Sequence, residues 1–188
     1  GLTVVDTALE MTRFGQVVIL ALVEVGALGI MTVSTFFLLL LGRRIRLRDR
    51  IILQQDLNQS LFSGLIRLVR RVVALSFLIQ LGGAAVLYVA LRPRFGTAGE
   101  ALFAALFHAV SAFGNAGFDI FGEGLAGVAG DAVVTGTLAA LVILGGLGFS
   151  VLEELLAYPR TRSFSLLARV ALAMTLALTL FGALLFLL

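Results

Sequence analysis

Side chains able to do covalent or acid–base chemistry are scarce in this chain: one histidine, His108, no cysteine, and 11 carboxylates spread over 188 residues. No thiolate is available for a metal site or a redox couple, and a lone histidine leaves no cluster with metal-ligand spacing. Hydrolysis inside a membrane needs an aspartate pair, a serine–histidine arrangement or a metal cluster within the apolar segments. The sequence offers none of these, so no enzyme is expected. The chemistry that remains belongs to the backbone. The stretch Phe107-His-Ala-Val-Ser-Ala-Phe-Gly-Asn-Ala-Gly-Phe-Asp-Ile-Phe-Gly122 places three glycines among Ser111, Asn115 and Asp119 and predicts extended main chain. Carbonyl oxygens of such a segment can replace the water around a cation. Gly117 can adopt dihedrals that turn its carbonyl toward an axis, which a residue with a Cβ resists.

Such a segment must be held at membrane depth, and the composition supplies the membrane elements. Hydrophobic residues make up 60% of the chain and charged residues 13%, with a mean hydropathy of +1.10. No soluble domain needs that much apolar surface. Uncharged runs of the length that crosses a hydrocarbon core of roughly 30 Å recur, so the fold class is all-α integral membrane. A first span covers 14–41 and a polar linker 42–71. A second span, 72–91, ends at Arg92-Pro93-Arg94, where proline breaks the helix. The apolar run 98–113 is helical but, at about 24 Å, too short to cross, and reads as re-entrant. A third span covers 132–157, a short loop holds Pro159, and a fourth span covers 166–188. Main chain that is not helical survives at membrane depth only when buried in protein or lining an aqueous cavity. The C-terminal, partly negative end of the 98–113 helix points at the glycine-rich segment and favours a cation there.

All 14 basic residues are arginine, and they are unevenly placed. Arg43, Arg44, Arg46, Arg48, Arg50, Arg67, Arg70 and Arg71 fall in the 42–71 linker, and Arg160, Arg162 and Arg169 at the later loop. The positive-inside rule puts both loops in the cytoplasm. The other side carries Arg13, Arg92 and Arg94 against Asp6, Glu10, Glu100, Asp119, Glu123 and Asp131, an acidic mouth that attracts cations. The chain also repeats itself: Leu22-Val-Glu-Val-Gly-Ala-Leu-Gly29 aligns with Leu141-Val-Ile-Leu-Gly-Gly-Leu-Gly148 at an offset of 119 residues. A period that contains span, re-entrant helix and span is one unit of a pore built from parallel repeats.

Ser111-Ala-Phe-Gly-Asn-Ala-Gly-Phe-Asp119 resembles the second filter segment of KtrB-type potassium transporters, members of the Ktr/Trk/HKT superfamily. Gly1-Leu-Thr-Val-Val-Asp-Thr7 is similar to the residues at and just after the glycine of their first filter. Phe14-Gly-Gln16, Val25-Gly-Ala-Leu-Gly-Ile-Met-Thr32 and Gly145-Gly-Leu-Gly-Phe149 resemble their inner helices. The resemblance implies four linked repeats of outer helix, pore helix and inner helix, as in potassium channels. Of these the chain holds the end of repeat 1 (1–41), all of repeat 2 (72–157, with filter 113–119) and the start of repeat 3 (158–188), and so reads as a fragment. It implies a pore-forming subunit for potassium uptake, with a filter drawn from Gly1, Asn115, Ala116, Gly117 and Phe118. It further implies a plasma-membrane location, a homodimer, and a cytoplasmic nucleotide-binding regulatory ring of the KtrA/TrkA type. Potassium, with sodium as a second candidate, is transported ion and not cofactor; no cofactor and no nucleic acid are expected. The alternatives are a less selective monovalent cation channel of the same fold and a non-conducting structural membrane protein. Two positions depart from the family pattern: Gly114 stands where asparagine or cysteine is usual, which implies looser packing behind the filter, and Glu24 where glutamine is usual.

Several residues carry two readings. Gly145, Gly146 and Gly148 are close-packing positions between helices or line the pore. Asn115 orients the filter or satisfies loop backbone groups. His108 is a hydrogen-bonded packing residue or a proton carrier. Asp119 attracts ions or is a solvated loop carboxylate. The arginine-rich linker contacts lipid headgroups or docks the regulatory ring. Glu24, a costly group in a span, is a coupling site or is internally hydrogen-bonded in its protonated form.

Overall fold

The computed structural model describes residues 6–42, 56–122 and 124–187, and side chains at 6–29, 69–122 and 124–185. Among the described residues all regular structure is helical: α1 (Arg13–Gly42), α2 (Asp56–Leu91), a 3₁₀ turn (Arg92–Arg94), α3 (Ala98–Phe113), a second 3₁₀ turn (Gly124–Val128), α4 (Ala132–Leu147), α5 (Phe149–Thr161) and α6 (Leu166–Leu187). Val69–Arg94 and Leu166–Leu185 are each long and apolar enough to cross a membrane, α4 and α5 pass that test only as a pair bent by 108°, and α3 falls short of it. The protein is an all-α membrane protein.

Three boundaries differ from the sequence reading. The helix that contains the second span begins at Asp56, well inside the stretch read as a 42–71 linker. Asp56–Leu68 has no proline and four leucines spaced among polar residues, a composition compatible with a solvated helix as much as with coil. The 132–157 span is two helices, because Gly148 sits at φ 80°, ψ 153°, a region open essentially to glycine alone. Pro159, read as loop, lies inside α5, which runs on to an Arg162 cap at φ 47°.

Caps account for the other helix starts. Thr97 accepts from the Glu100 amide at 3.2 Å, and Thr97 with Glu100 has the spacing of a capping box. Asp131 accepts from the amides of Val133 and Val134 at 3.0 and 3.2 Å and starts α4, while Pro93 closes α2. The core forms where α2, α3 and α4 meet, around Leu87, Leu91, Ala104, Ala105, Phe113, Leu138 and Leu141. Small residues set the approach: a Cβ on Gly83 would lie 2.7 Å from Leu141 Cδ1, and the buried alanines of α3 at 101, 104, 105 and 109 let that short helix sink between its neighbours. Ion pairs mark the two ends of this bundle. Arg94 meets Asp131 at 3.3 Å at one end and Arg71 meets Glu153 at 3.2 Å at the other; both are too exposed to matter much for stability. α1 joins the Arg94 end of the bundle, where Arg13 lies 4.7 Å over the Phe103 ring and buried Gln16 donates to the Thr7 carbonyl at 3.0 Å.

Candidate functional site

The C-terminus of α3 ends in a Schellman arrangement: the Ala116 amide donates to Ser111 O at 2.9 Å and the Asn115 amide to Ala112 O at 3.0 Å. This closure needs a left-handed residue, and Asn115 takes it at φ 52°, a conformation asparagine tolerates better than most residues. The Asn115 conformation is therefore explained by the helix cap alone. Gly117 is not: it is left-handed again, at φ 72°, where no cap requires it. The sign of φ alternates from Gly114 to Phe118, since Gly114 is at −71° and neither Ala116 nor Phe118 is positive. In an ordinary strand successive carbonyls point to opposite sides; reversing the hand of every second residue can bring them to one side. Among the described residues, no hydrogen bond reaches the carbonyls of Asn115, Ala116 or Gly117.

From Gly117 the chain runs back along the same face of α3 and is pinned to it twice. Ser111 Oγ donates to Phe118 O at 2.6 Å, and the Ile120 amide donates to His108 Nε2 at 3.3 Å. His108 Nδ1 is 2.7 Å from Ala104 O, so Nδ1 carries the hydrogen and Nε2 is the acceptor. Both ring nitrogens are used by a neutral imidazole, and the ring stacks on Phe121 at 3.8 Å. This is the hydrogen-bonded packing role, and it leaves no nitrogen free to carry a proton. The Ser111 contact also commits one lone pair of the Phe118 carbonyl, which sets Phe118 apart from the other candidate filter residues.

Helix α4 closes the back of the turn. A Cβ built on Gly145 would overlap the Phe113 carbonyl oxygen and come within 3.1 Å of Asn115 Nδ2, so α4 rests directly on the end of α3. The Asn115 amide side chain spans 3.4 Å to that same Phe113 carbonyl, a contact that satisfies loop backbone. The three glycines read as one group thus do three things: Gly145 makes a close approach, Gly146 has 3.9 Å to its nearest neighbour, and Gly148 breaks the helix. Gly114 does not loosen the packing. A Cβ there would meet Val23 Cγ1 at 3.0 Å and Val110 O at 3.1 Å, so its bare backbone is what lets α1 lie against the turn.

Between the returning limb and α4 lies a recess of about 280 Å³ whose lining includes His108, Ser111, Asn115, Gly117, Asp119 and Val142. Four of the five candidate filter residues, Asn115, Ala116, Gly117 and Phe118, are consecutive in this turn, while Gly1 lies outside the described residues. Asp119 bonds locally, accepting from the Phe121 amide at 3.3 Å. Glu24 is away from the recess, against Gln80. Sequence reasoning missed the pinning role of Ser111; the available signal was its position with Ala104 and His108 on one face of a 3.6-residue helix.

A family of cation transport proteins, TrkH, matches residues 1–188 of the chain. Among curated proteins, it is 40% identical over 178 residues to the Ktr system potassium uptake protein B of Bacillus subtilis, covering 95% of this chain and 40% of that one. It is 37% identical over 187 residues to the potassium/sodium uptake protein NtpJ of Enterococcus hirae, covering 100% of this chain and 41% of that one. A further Ktr system potassium uptake protein B, from Vibrio alginolyticus, is 36% identical over 125 residues, 66% of this chain and 27% of the other. The chain spans about 40% of the length of the first two relatives. With a short capped helix, a glycine-rich returning limb and a match along its whole length, the chain belongs to the TrkH family of cation transport proteins.

Proposed function

We propose that this chain supplies part of the pore-forming subunit of a potassium uptake transporter, passing K⁺ along backbone carbonyls across the plasma membrane. The observation that carries the reading is Gly117: left-handed without a cap to require it, preceded by carbonyls that accept no hydrogen bond among the described residues, and placed beside a recess at the C-terminal end of α3. The family and the names of the potassium-uptake relatives support it. In this reading Asn115, Ala116, Gly117 and Phe118 with Gly1 line the ion path. The region 72–157 is one repeat of the pore, flanked by the end of one repeat and the start of another. The arginine-rich 42–71 and 158–165 regions face the cytoplasm, and the full protein works as a homodimer on a nucleotide-binding regulatory ring. The name of the Enterococcus hirae relative makes sodium the second candidate ion.

Gly117→Ser in the full-length protein tests the filter. Holding a side-chain-bearing residue left-handed costs roughly 1–2 kcal/mol, and relaxation of that strain disturbs the carbonyl spacing while the spans stay inserted. Rubidium uptake should lose affinity and discrimination against sodium, while Gly127→Ser, in an exposed turn, should not. Unchanged affinity and sodium competition at equal membrane abundance would show that 113–119 is not the filter. Absence of any flux in the unmodified protein would favour the non-conducting alternative.

A further inference from the structure

Near the middle of the span in α2, Gln80 makes a polar contact with α1 that does not close. Gln80 Nε2 donates to Glu24 Oε2 at 2.9 Å, and the other oxygen of each group, Glu24 Oε1 and Gln80 Oε1, is buried without any hydrogen-bond partner. Gln80 is only 3% exposed. Two buried acceptors on hydrogen-bonded partners, one of them on an ionisable carboxyl, are unfavourable in a low-dielectric interior unless a donor or a positive charge meets them.

Among the described residues neither oxygen has one. Among the described residues no arginine or histidine nitrogen lies within 4.0 Å of the Glu24 carboxyl. Among the described side chains, the charged and titratable groups on the helices packed against α1 are engaged or remote, Tyr88 of α2 lying more than two turns beyond Gln80. On α2, Arg70 and Arg71 lie more than two turns before Gln80, and Arg71 is held by Glu153 of α5. On α3, Glu100 is in the first turn and His108 is held by Ala104 and Ile120. On α5, Glu154 accepts from Ser165, and Tyr158 and Arg160 stand in the last turn. Both orphaned oxygens are shut off from solvent among the described residues, so the space beside them suits a small ligand.

We infer that Glu24 and Gln80 form a binding position for one small monovalent cation, a proton or a sodium ion, at the contact between α1 and α2. A proton on Glu24 Oε1 turns that atom into a donor, and a sodium ion takes a lone pair from each orphaned oxygen. In both cases the ion ties the two helices together. The position is separate from the recess at Gly117 and goes beyond the proposed potassium path.

The test uses purified full-length protein in lipid nanodiscs with saturating K⁺, so that potassium sites stay filled. The unfolding midpoint is followed across sodium chloride balanced with choline chloride at fixed pH, then from mildly acidic to mildly alkaline pH in choline alone. A ligand that binds only the folded state raises stability with the logarithm of its concentration above Kd. A midpoint that rises with sodium identifies sodium, and one that rises as pH falls identifies the proton. Glu24→Gln should flatten the response, because its carboxamide can donate to Gln80 Oε1 without an ion. Gln80→Met, which keeps the carboxyl and removes one ligand, should shift the response to higher ion concentration. An unmodified protein that responds to neither ion, or a Glu24→Gln response equal to the unmodified one, overturns the site. Rubidium uptake by the same preparation reports the potassium path separately, so failure of one reading is distinguishable from failure of the other.

Discussion

Gly145 and Gly146 are neighbours on one helix, and the same substitution should have opposite effects on them. An added Cβ at Gly145 lands on the Phe113 carbonyl oxygen and 2.8 Å from its carbon. Ordinary carbon–oxygen separation is near ~3.5 Å, and the obstacle is backbone, which cannot rotate away. α4 must retreat or the α3 turn must shift. Overpacking of this kind costs about 1–3 kcal/mol, against a gain of about 1 kcal/mol for replacing a helical glycine by alanine. At Gly146 the nearest atom is 3.9 Å away, so the gain stands unopposed. Gly145→Ala should therefore be less stable than Gly146→Ala by roughly 1–3 kcal/mol, with the unmodified protein at or between them. Gly145→Ala should also weaken rubidium affinity, because the atoms that must move belong to Phe113 and Asn115. Thermal midpoints of the three full-length proteins at one K⁺ concentration, with uptake on the same samples, make the comparison. Equal midpoints for the two variants would refute the close approach of α4 to the turn after α3 and with it the reason this position is glycine.

His108→Gln, which keeps an acceptor within reach of the Ile120 amide, should hold rubidium-over-sodium discrimination better than His108→Leu, which strands a part-buried amide at a cost of about 1–3 kcal/mol; uptake with sodium competition reads the order, and equal losses would reduce His108 to bulk. Since the chain contains no cysteine, single cysteines introduced into an otherwise cysteine-free full-length protein report sidedness: one within 43–50 should resist an impermeant thiol reagent in intact cells and one at 123 should react, the reverse pattern refuting the orientation.

The short helix was the most legible element, because α3 has both of its ends written locally: Thr97 with Glu100 at the start, and Gly114-Asn115 at the finish. The break at Gly148 was not legible. Leu22–Gly29 and Leu141–Gly148 share most of their residues, yet α1 runs straight through Gly29 while α4 stops at Gly148. Glycine permits that conformation without requiring it, and tertiary contacts decide. The helical start of α2 was hidden for a related reason: polar composition reports solvent, not coil. In the candidate site, the glycine-rich segment announced its left-handed, non-helical main chain by composition. The Glu24–Gln80 contact could not be read, since 56 residues separate the partners and nothing local couples them.

The bend at Gly148 has an electrical consequence. A helix end leaves its last carbonyls without intrahelical donors, and lipid tails supply none. The final turn of α4 must then meet water or other protein, and α5, turned by 108°, cannot continue the ladder. α4 alone covers only about 24 Å, less than a hydrocarbon core of roughly 30 Å. If water is what reaches that turn, the membrane potential falls over a shorter dry distance beside the proposed filter, and an ion held there would experience a steeper field.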